Sequence, residues 1–229
     1  MSELWAWNVS AWVYARTYGP LAHRLDEDVF SWLGREGLAG KVVMDCGCGP
    51  GVVARKLVEL GAAKVICVDV SPKMLEQVGD DPRLIKVQAR LEPGELKPIA
   101  DQYAPEGVDV VLFKRSLYHP TDVAVEVLRE AHGLLKPGGQ VVVVHPERKI
   151  LPYAFGRPLR VHRHTPYHLF NRTISKIGVR LGGEQYTVHT RDELLSLARR
   201  AAGENSVSEI PTSQGSFNLI ALTRAADAA

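Results

Sequence analysis

Val42-Val43-Met44-Asp45-Cys46-Gly47-Cys48-Gly49-Pro50-Gly51 decides the fold of this chain. It reads as a buried strand over 41–45 that runs into a turn with glycines at three alternating positions. A helical pattern follows over 51–60, and Gly61 ends it. Glycine belongs where backbone turns tightly and a ligand comes close, because a Cβ obstructs both. The helix start beyond the turn offers N–H groups without intrahelical partners and the positive end of the helix dipole. Strand–turn–helix units of this kind bind nucleotide-like ligands at the carboxyl edge of an α/β sheet.

The spacing narrows the ligand. A dinucleotide site wants G-x-G-x-x-G, which seats a pyrophosphate on the helix. Here the turn is G-x-G-x-G, preceded by Asp45. A carboxylate beside the turn repels a pyrophosphate but can accept hydrogen bonds from an ammonium group. The next strand, 64–69, ends in a second acid, Asp69, where sheets of this kind reach ribose hydroxyls. A ligand with a ribose, a cationic head and no phosphate fits S-adenosylmethionine (SAM) better than NAD.

With these motifs the chain resembles the class I SAM-dependent methyltransferases, and looks closest to the group typified by ubiquinone and menaquinone biosynthesis enzymes. The matching segments are the one quoted above, Val68-Asp69-Val70-Ser71-Pro72-Lys73-Met74-Leu75, Val108 to Phe113, and Leu128 to Val144 with its Lys136-Pro137-Gly138-Gly139. They cover roughly residues 38–145, with weaker support over 188–224. Four motifs in order, at family-like spacing, are far more specific than any one of them.

The remaining pattern fits that fold. Strands are expected at about 84–88, 108–113 and 140–144, and helices at 72–78 and 121–135. Ser71 serves as N-cap and Pro72 falls in the first turn of its helix. The runs Val108 to Phe113 and Val141 to Val144 are almost wholly apolar, as strands covered on both faces should be. Residues 89–107 read as a Pro/Gly-rich link. Thr190 and Glu193 are spaced as a capping box before a last helix over 191–202. Strands near 206–210 and 217–223 close the fold, and the resemblance pairs them antiparallel at the sheet edge. The expected architecture is α/β: a doubly wound, mostly parallel seven-stranded sheet, Rossmann-like, in a single domain over 1–229. A helical, aromatic cap occupies 1–37, the cofactor core 38–145, a basic insertion 146–187, and the last helix and edge strands 188–224.

Composition is that of an ordinary globular protein, with 45% hydrophobic and 24% charged residues. No apolar run approaches the ~20 residues of a membrane span, and the N-terminus lacks the pattern of a signal peptide. Cys46, Cys48 and Cys67 are the three cysteines and form no C-x-x-C, so neither a zinc site nor a redox pair is expected. No metal site is expected elsewhere, and a cytoplasmic location is the default. Net charge is only +2, but 148–183 contains Arg148, Lys149, Arg157, Arg160, Arg163, Arg172, Lys176 and Arg180 without one Asp or Glu.

The resemblance assigns the site residues. SAM, and its product S-adenosylhomocysteine (SAH), would lie along Asp45, Gly47, Cys48, Gly49 and Gly51, with the ribose on Asp69 and the adenine under Val70 and Met74. Many family members carry Gln-Gly-Asp-Ala after strand three, the acid lying near the adenine amino group. This chain has Gln88-Ala89-Arg90-Leu91, and a guanidinium cannot accept a hydrogen bond. The base is then read by backbone over Ala89 to Leu91, by a displaced acid such as Glu92, or hardly at all. Lys114 follows strand four, where relatives line the cofactor. Asp109 sits at the opposite end of that strand and is expected to be structural.

His119 and His145 fall at the carboxyl edge of the sheet, where either could take a proton from an acceptor atom; the plain alternative is a structural histidine. Tyr14 and Tyr18 of the cap, with Tyr118, are candidates for the pocket roof. Arg157, Arg160, Arg163 and Tyr167 of the basic insertion could clamp an anionic acceptor. The implied activity is methyl transfer by in-line displacement to O, N or C of a small metabolite. Three alternatives remain: RNA methylation using the basic, aromatic segment, contact with an anionic membrane surface, and SAM binding without catalysis. A solvated face or an oligomer contact is the bland reading of the same segment.

Overall fold

The computed structural model describes residues 27–146, 187–212 and 217–227, preceded by positions 4, 7, 8, 11, 12 and 15. Tyr14, Tyr18, Arg157, Arg160, Arg163 and Tyr167 lie outside the described residues. So does all of the basic insertion apart from Pro146 and Thr187 at its ends.

Helix α1 (Glu27–Glu36) leads into β1 (Val42–Cys46), α2 (Val52–Glu59), β2 (Lys64–Asp69), α3 (Pro72–Leu75) and β3 (Leu84–Gln88). Then come α4 (Leu96–Tyr103), β4 (Val108–Lys114), α5 (Thr121–Gly133) and β5 (Leu135–Pro146). After the basic segment, α6 (Arg191–Ala202) precedes the strands β6 (Val207–Ile210) and β7 (Phe217–Thr223). The seven strands form one sheet in the order β3-β2-β1-β4-β5-β7-β6. The first five are parallel, and β7 is antiparallel to both β5 and β6. Strand order reverses direction between β1 and β4, so the tips of these two strands part at the switch point where such sheets bind ligands.

Alternation along the buried strands builds two apolar layers. Val43, Val65, Cys67, Val110, Leu112 and Val142 face one side, against Leu33 of α1, Leu57 of α2 and Leu75 of α3. Met44, Cys46, Ile66, Val68, Val111 and Phe113 face the other, against Leu96 of α4, Leu128 of α5 and Leu194 of α6. Asp109 has a structural part at the far end of β4. Its Oδ2 accepts from the Val42 N–H at 2.8 Å and pairs with Lys136 Nζ at 3.1 Å.

Two expected elements differ. The link 89–107 contains α4, whose N-terminus is capped from outside: Glu130 of α5 accepts from the Gly94 and Lys97 N–H groups, each at 2.7 Å. Pro98 is harmless there, because N–H groups in the first turn have no intrahelical acceptor to lose. The helix expected over 72–78 is α-helical only through Leu75. Beyond it, Arg55 Nη1 donates to the carbonyls of Gln77 at 3.1 Å and Val78 at 2.9 Å, fixing the chain in turns. Ser71 caps α3 through the Met74 N–H, and Thr190 with Glu193 forms the expected capping box on α6.

Gly51 joins the turn to α2 in a left-handed conformation, φ 71°. A Cβ at Gly51 would stand 2.9 Å from the Val78 Cα, which is backbone and cannot swing aside. Gly51→Ala should therefore cost about 2 kcal/mol or more of stability, left-handed strain plus overpacking, read as a lowered urea midpoint at unchanged m-value.

Candidate functional site

The turn after β1 is held in shape by its own backbone. Gly47, Gly49 and Gly51 all have positive φ, at 76°, 53° and 71°. The N–H groups of Gly47 and Cys48 both donate to the Val68 carbonyl, at 2.8 and 3.0 Å. The Gly49 N–H donates to Asp69 Oδ2 at 2.8 Å, and the Ser71 N–H to Asp69 Oδ1 at 2.9 Å. One carboxylate thus ties the glycine turn to the loop after β2. A carboxylate has about four lone-pair sites, so Asp69 retains acceptor capacity for ligand hydroxyls. Burial pushes its pKa above 3.8, and the hydrogen bonds from Ser71 and Gly49 pull the other way.

Above this turn opens a cavity of about 500 Å³, within the range that takes nucleoside-sized ligands. Gly47, Gly49, Asp69, Val70, Met74, Ala89, Arg90, Leu91, Lys114, Tyr118 and His119 line it. Asp45, Cys48 and Gly51 are not on its wall. Asp45, at the end of β1, is buried, 1% exposed. Cys48 is buried too, and its thiol lies well above its ordinary pKa of 9.0 through a hydrogen bond with Cys67 and through burial. It stays protonated and unreactive at neutral pH.

The two histidines part company. His119 lines the cavity next to Tyr118. His145, expected beside it, is fully buried behind the wall. Its Nε2 accepts from the His189 N–H at 3.0 Å, which requires the proton of the neutral ring on Nδ1. Burial, and then the neighbouring His189, lower its pKa to about 4. His145 is therefore neutral at pH 7, with its basic nitrogen already engaged.

Other residues complete the wall and its support. Trp7 lines the cavity, and its neighbour Asn8 accepts a 2.7 Å hydrogen bond from the Ser71 hydroxyl. Trp7 is the one described residue ahead of α1 on this wall. Ser116 packs so closely on the turn that a Cβ at Gly47 would fall on its Cβ, and its hydroxyl donates to the Cys46 carbonyl at 2.5 Å. Arg115 takes φ 56°, the one non-glycine residue with positive φ among the described residues. Such a conformation is strained and tends to mark a working loop. His189, 1% exposed, has its Nε2 3.0 Å from the His119 carbonyl oxygen, and the Thr187 N–H donates to the Tyr118 carbonyl at 2.8 Å. The loop that carries Tyr118 and His119 is thus pinned by the residues just ahead of α6.

Comparison with known proteins agrees with this geometry. Residues 43–139 match the family model described as a methyltransferase domain. Over these residues the chain is similar to a methyltransferase domain. The ribosomal protein L11 methyltransferase of Vibrio cholerae serotype O1 is 36% identical over 132 residues, 55% of this chain and 40% of that protein. The ubiquinone biosynthesis O-methyltransferase of Pseudomonas paraeruginosa is 34% identical over 148 residues, 63% of this chain and 61% of that one. The chain spans less than two thirds of the length of both. Among solved structures the DhpI–SAH complex superposes with TM-score 0.65 at 19% identity, covering 99% of this chain and 96% of that one, a likeness of fold.

The cavity fits the cofactor of this domain class. Gly47 and Gly49 leave the turn bare of side chains where a ligand would run along it, and Asp69 offers its remaining lone pairs at the β2 tip. Protonation removes those acceptors, so SAH affinity should fall as pH drops through a value above 3.8. Titration calorimetry across that range checks this, and Asp69→Asn should bind weakly with a flattened profile. Folding has its own pH signature. The depressed pKa of His145 contributes stability that is present above about pH 6.5 and lost as pH falls towards about 4, up to about 3 kcal/mol. Urea unfolding should show a smaller loss on acidification in His145→Phe than in the parent protein.

Proposed function

We propose that this chain transfers a methyl group from SAM to an oxygen or nitrogen of a small, anionic acceptor. The observation that carries the reading is the composition of one cavity on the two sides of the glycine turn. Towards β2 and β3 lie Asp69 and the residues that would receive the nucleoside. Towards β4 lie Lys114, Arg115, Tyr118 and His119. The second group combines positive charge with a ring that can hold a proton, which suits an acceptor carrying a carboxylate or phosphate and an ionisable O–H or N–H.

When bound, SAM supplies a methyl group already made electrophilic by its sulfonium. The chain's own residues then have two tasks. The first is placement: the rigid turn, Ser116 and the pinned loop 115–120 fix an acceptor atom relative to the cofactor seat. Alignment of two reactants can lower a barrier by several kcal/mol, up to roughly 7–11 in the best cases. The second is the proton. His119, on the wall, is placed to accept it, while His145 supports the loop from behind through His189. Exclusion of water would fall to Trp7.

The longer overlap with the ubiquinone O-methyltransferase than with the ribosomal protein L11 methyltransferase supports a small-molecule acceptor. The net positive segment 148–183 supports an anionic one. We assign the protein to the cytoplasm, in keeping with three buried free thiols; no helix among the described residues is long and apolar enough to cross a membrane.

The test is a screen of metabolite extracts with methyl-labelled SAM, followed by kinetics on the labelled product's precursor. The expected acceptor is a small anion. His119→Ala should lower kcat by about 10²-fold or more with SAH affinity unchanged. Transfer of label to RNA instead, or equal rates for His119→Ala and the parent protein, would contradict the acceptor class or the proton role respectively.

A further inference from the structure

The loop after β4 is held at its front by the sheet. The Arg115 N–H donates to the Val144 carbonyl at 2.8 Å, the Ser116 hydroxyl bonds to the Cys46 carbonyl, and Leu117 is buried in the core. The far end, Tyr118-His119-Pro120, is held differently. Residue 120 is proline, so the peptide that joins it to His119 has no N–H. The His119 carbonyl is then the only hydrogen-bonding group by which that peptide can be fixed. It meets His189 Nε2 at 3.0 Å. A carbonyl can only accept, so His189 must carry a proton on Nε2.

His189 is in turn held by its own backbone. Its N–H donates to His145 Nε2 at 3.0 Å, and Thr190, the next residue, forms the capping box of α6. The two rings therefore have opposite tasks at the same atom: Nε2 accepts in His145 and donates in His189. Both residues are buried, at 0% and 1% exposure, with ring centroids 5.6 Å apart. Burial and the neighbouring ring keep His145 in the neutral form that can accept. Two imidazoles sealed from solvent, one with an unpaired Nδ1, cost stability that apolar side chains would not. What they supply is a fixed direction for one carbonyl, that of a residue on the cavity wall. We infer that His189 is a positioning residue for the methyl transfer: seated on His145, it fixes the His119–Pro120 peptide and thereby the place of the His119 ring on the wall. The inference rests on the proposed reading that His119 takes the acceptor's proton.

Long-range proton–nitrogen NMR of the parent protein should show His145 protonated on Nδ1 and His189 protonated on Nε2. Function is read as the rate at which label passes from saturating methyl-labelled SAM to the small-molecule fraction of a metabolite extract. Methionine fills much of the space of the His189 ring without a donor, whereas glutamine brings an amide N–H to the same reach. His189→Met should slow transfer by about ten-fold or more, because a misplacement of about 1 Å can cost 10²-fold. SAH affinity, read by calorimetry, should stay unchanged and so report an intact fold. His189→Gln should recover most of the rate. In a His119→Ala background His189→Met should cost little more, since the two residues act as one unit. His145→Gln, which keeps an acceptor for the His189 N–H, and His145→Met, which removes it, give the same contrast one step back. Equal rates for the Gln and Met variants, full additivity with His119→Ala, or a His189 ring without its proton on Nε2 overturns the role. So does a loss of SAH affinity in step with the rate, the mark of a general support of the fold. Absence of label transfer by the parent protein would instead overturn the methyl-transfer reading on which the role rests.

Discussion

The site depends on one carboxylate holding two loops. Asp69 accepts the Gly49 N–H on one oxygen and the Ser71 N–H on the other, so the turn after β1 and the loop after β2 cannot move independently. Its position follows from the parallel pairing of β1 and β2, which brings Cys46 opposite Val68 and the tip of β2 alongside the turn. Burial makes the charge on Asp69 expensive: with its pKa raised, the ionised group opposes folding at neutral pH. A fold that only needed stability would do better with a neutral side chain there. Retaining the charge makes sense for a group that must also accept hydrogen bonds from a ligand, and the two backbone N–H groups offset part of its desolvation.

What the sequence made legible is what backbone chemistry dictates locally. The alternating glycines appear in the structure as three left-handed residues, and the apolar runs as strands covered on both faces. Thr190 and Glu193 form the box that their spacing implies. What it hid is what distant residues impose. Nothing between 89 and 107 announces α4, because its cap is Glu130, a residue of another helix. The role of Ser116 is invisible until β4 is laid beside β1 and its side chain meets Gly47. His145 and His119 look alike in sequence, each near a strand's carboxyl end. The pairing of β5 with β7 buries the first, while the loop after β4 leaves the second on the cavity wall.

The buried histidines show how the loop after β4 is held without covalent help. His145 ends the parallel part of the sheet, His189 precedes α6, and the 3.0 Å bond between them brings those elements together. The His189 ring then reaches the His119 carbonyl, and Tyr118 leans on His145 with ring centroids 5.5 Å apart. A polar cluster of this kind is specific where its atoms are paired and costly where they are not, as at the buried His145 Nδ1. Here it ties a strained loop, with Arg115 in the left-handed region, to two rigid elements. Strain of that sort persists only where the surroundings over-determine it.

Charge is also unevenly distributed across the switch point. The carboxylates of the wall lie on β2 and just beyond β3, with Arg90 beside Glu92, while Lys114 ends β4 and Arg115 follows it on the other side of the turn. On the proposed reading, a cofactor whose nucleoside donates hydrogen bonds and an acceptor that carries negative charge would face opposite halves of one cavity. The glycine turn between them contributes no side chain, so little separates the halves in the direction a methyl group has to travel. Two ligands of opposite character held this way are oriented by the wall before they meet. This is the form that catalysis by alignment takes when the reactive group needs no further activation. Thr187, ahead of α6, bonds to Tyr118 on the half that carries Lys114 and Arg115.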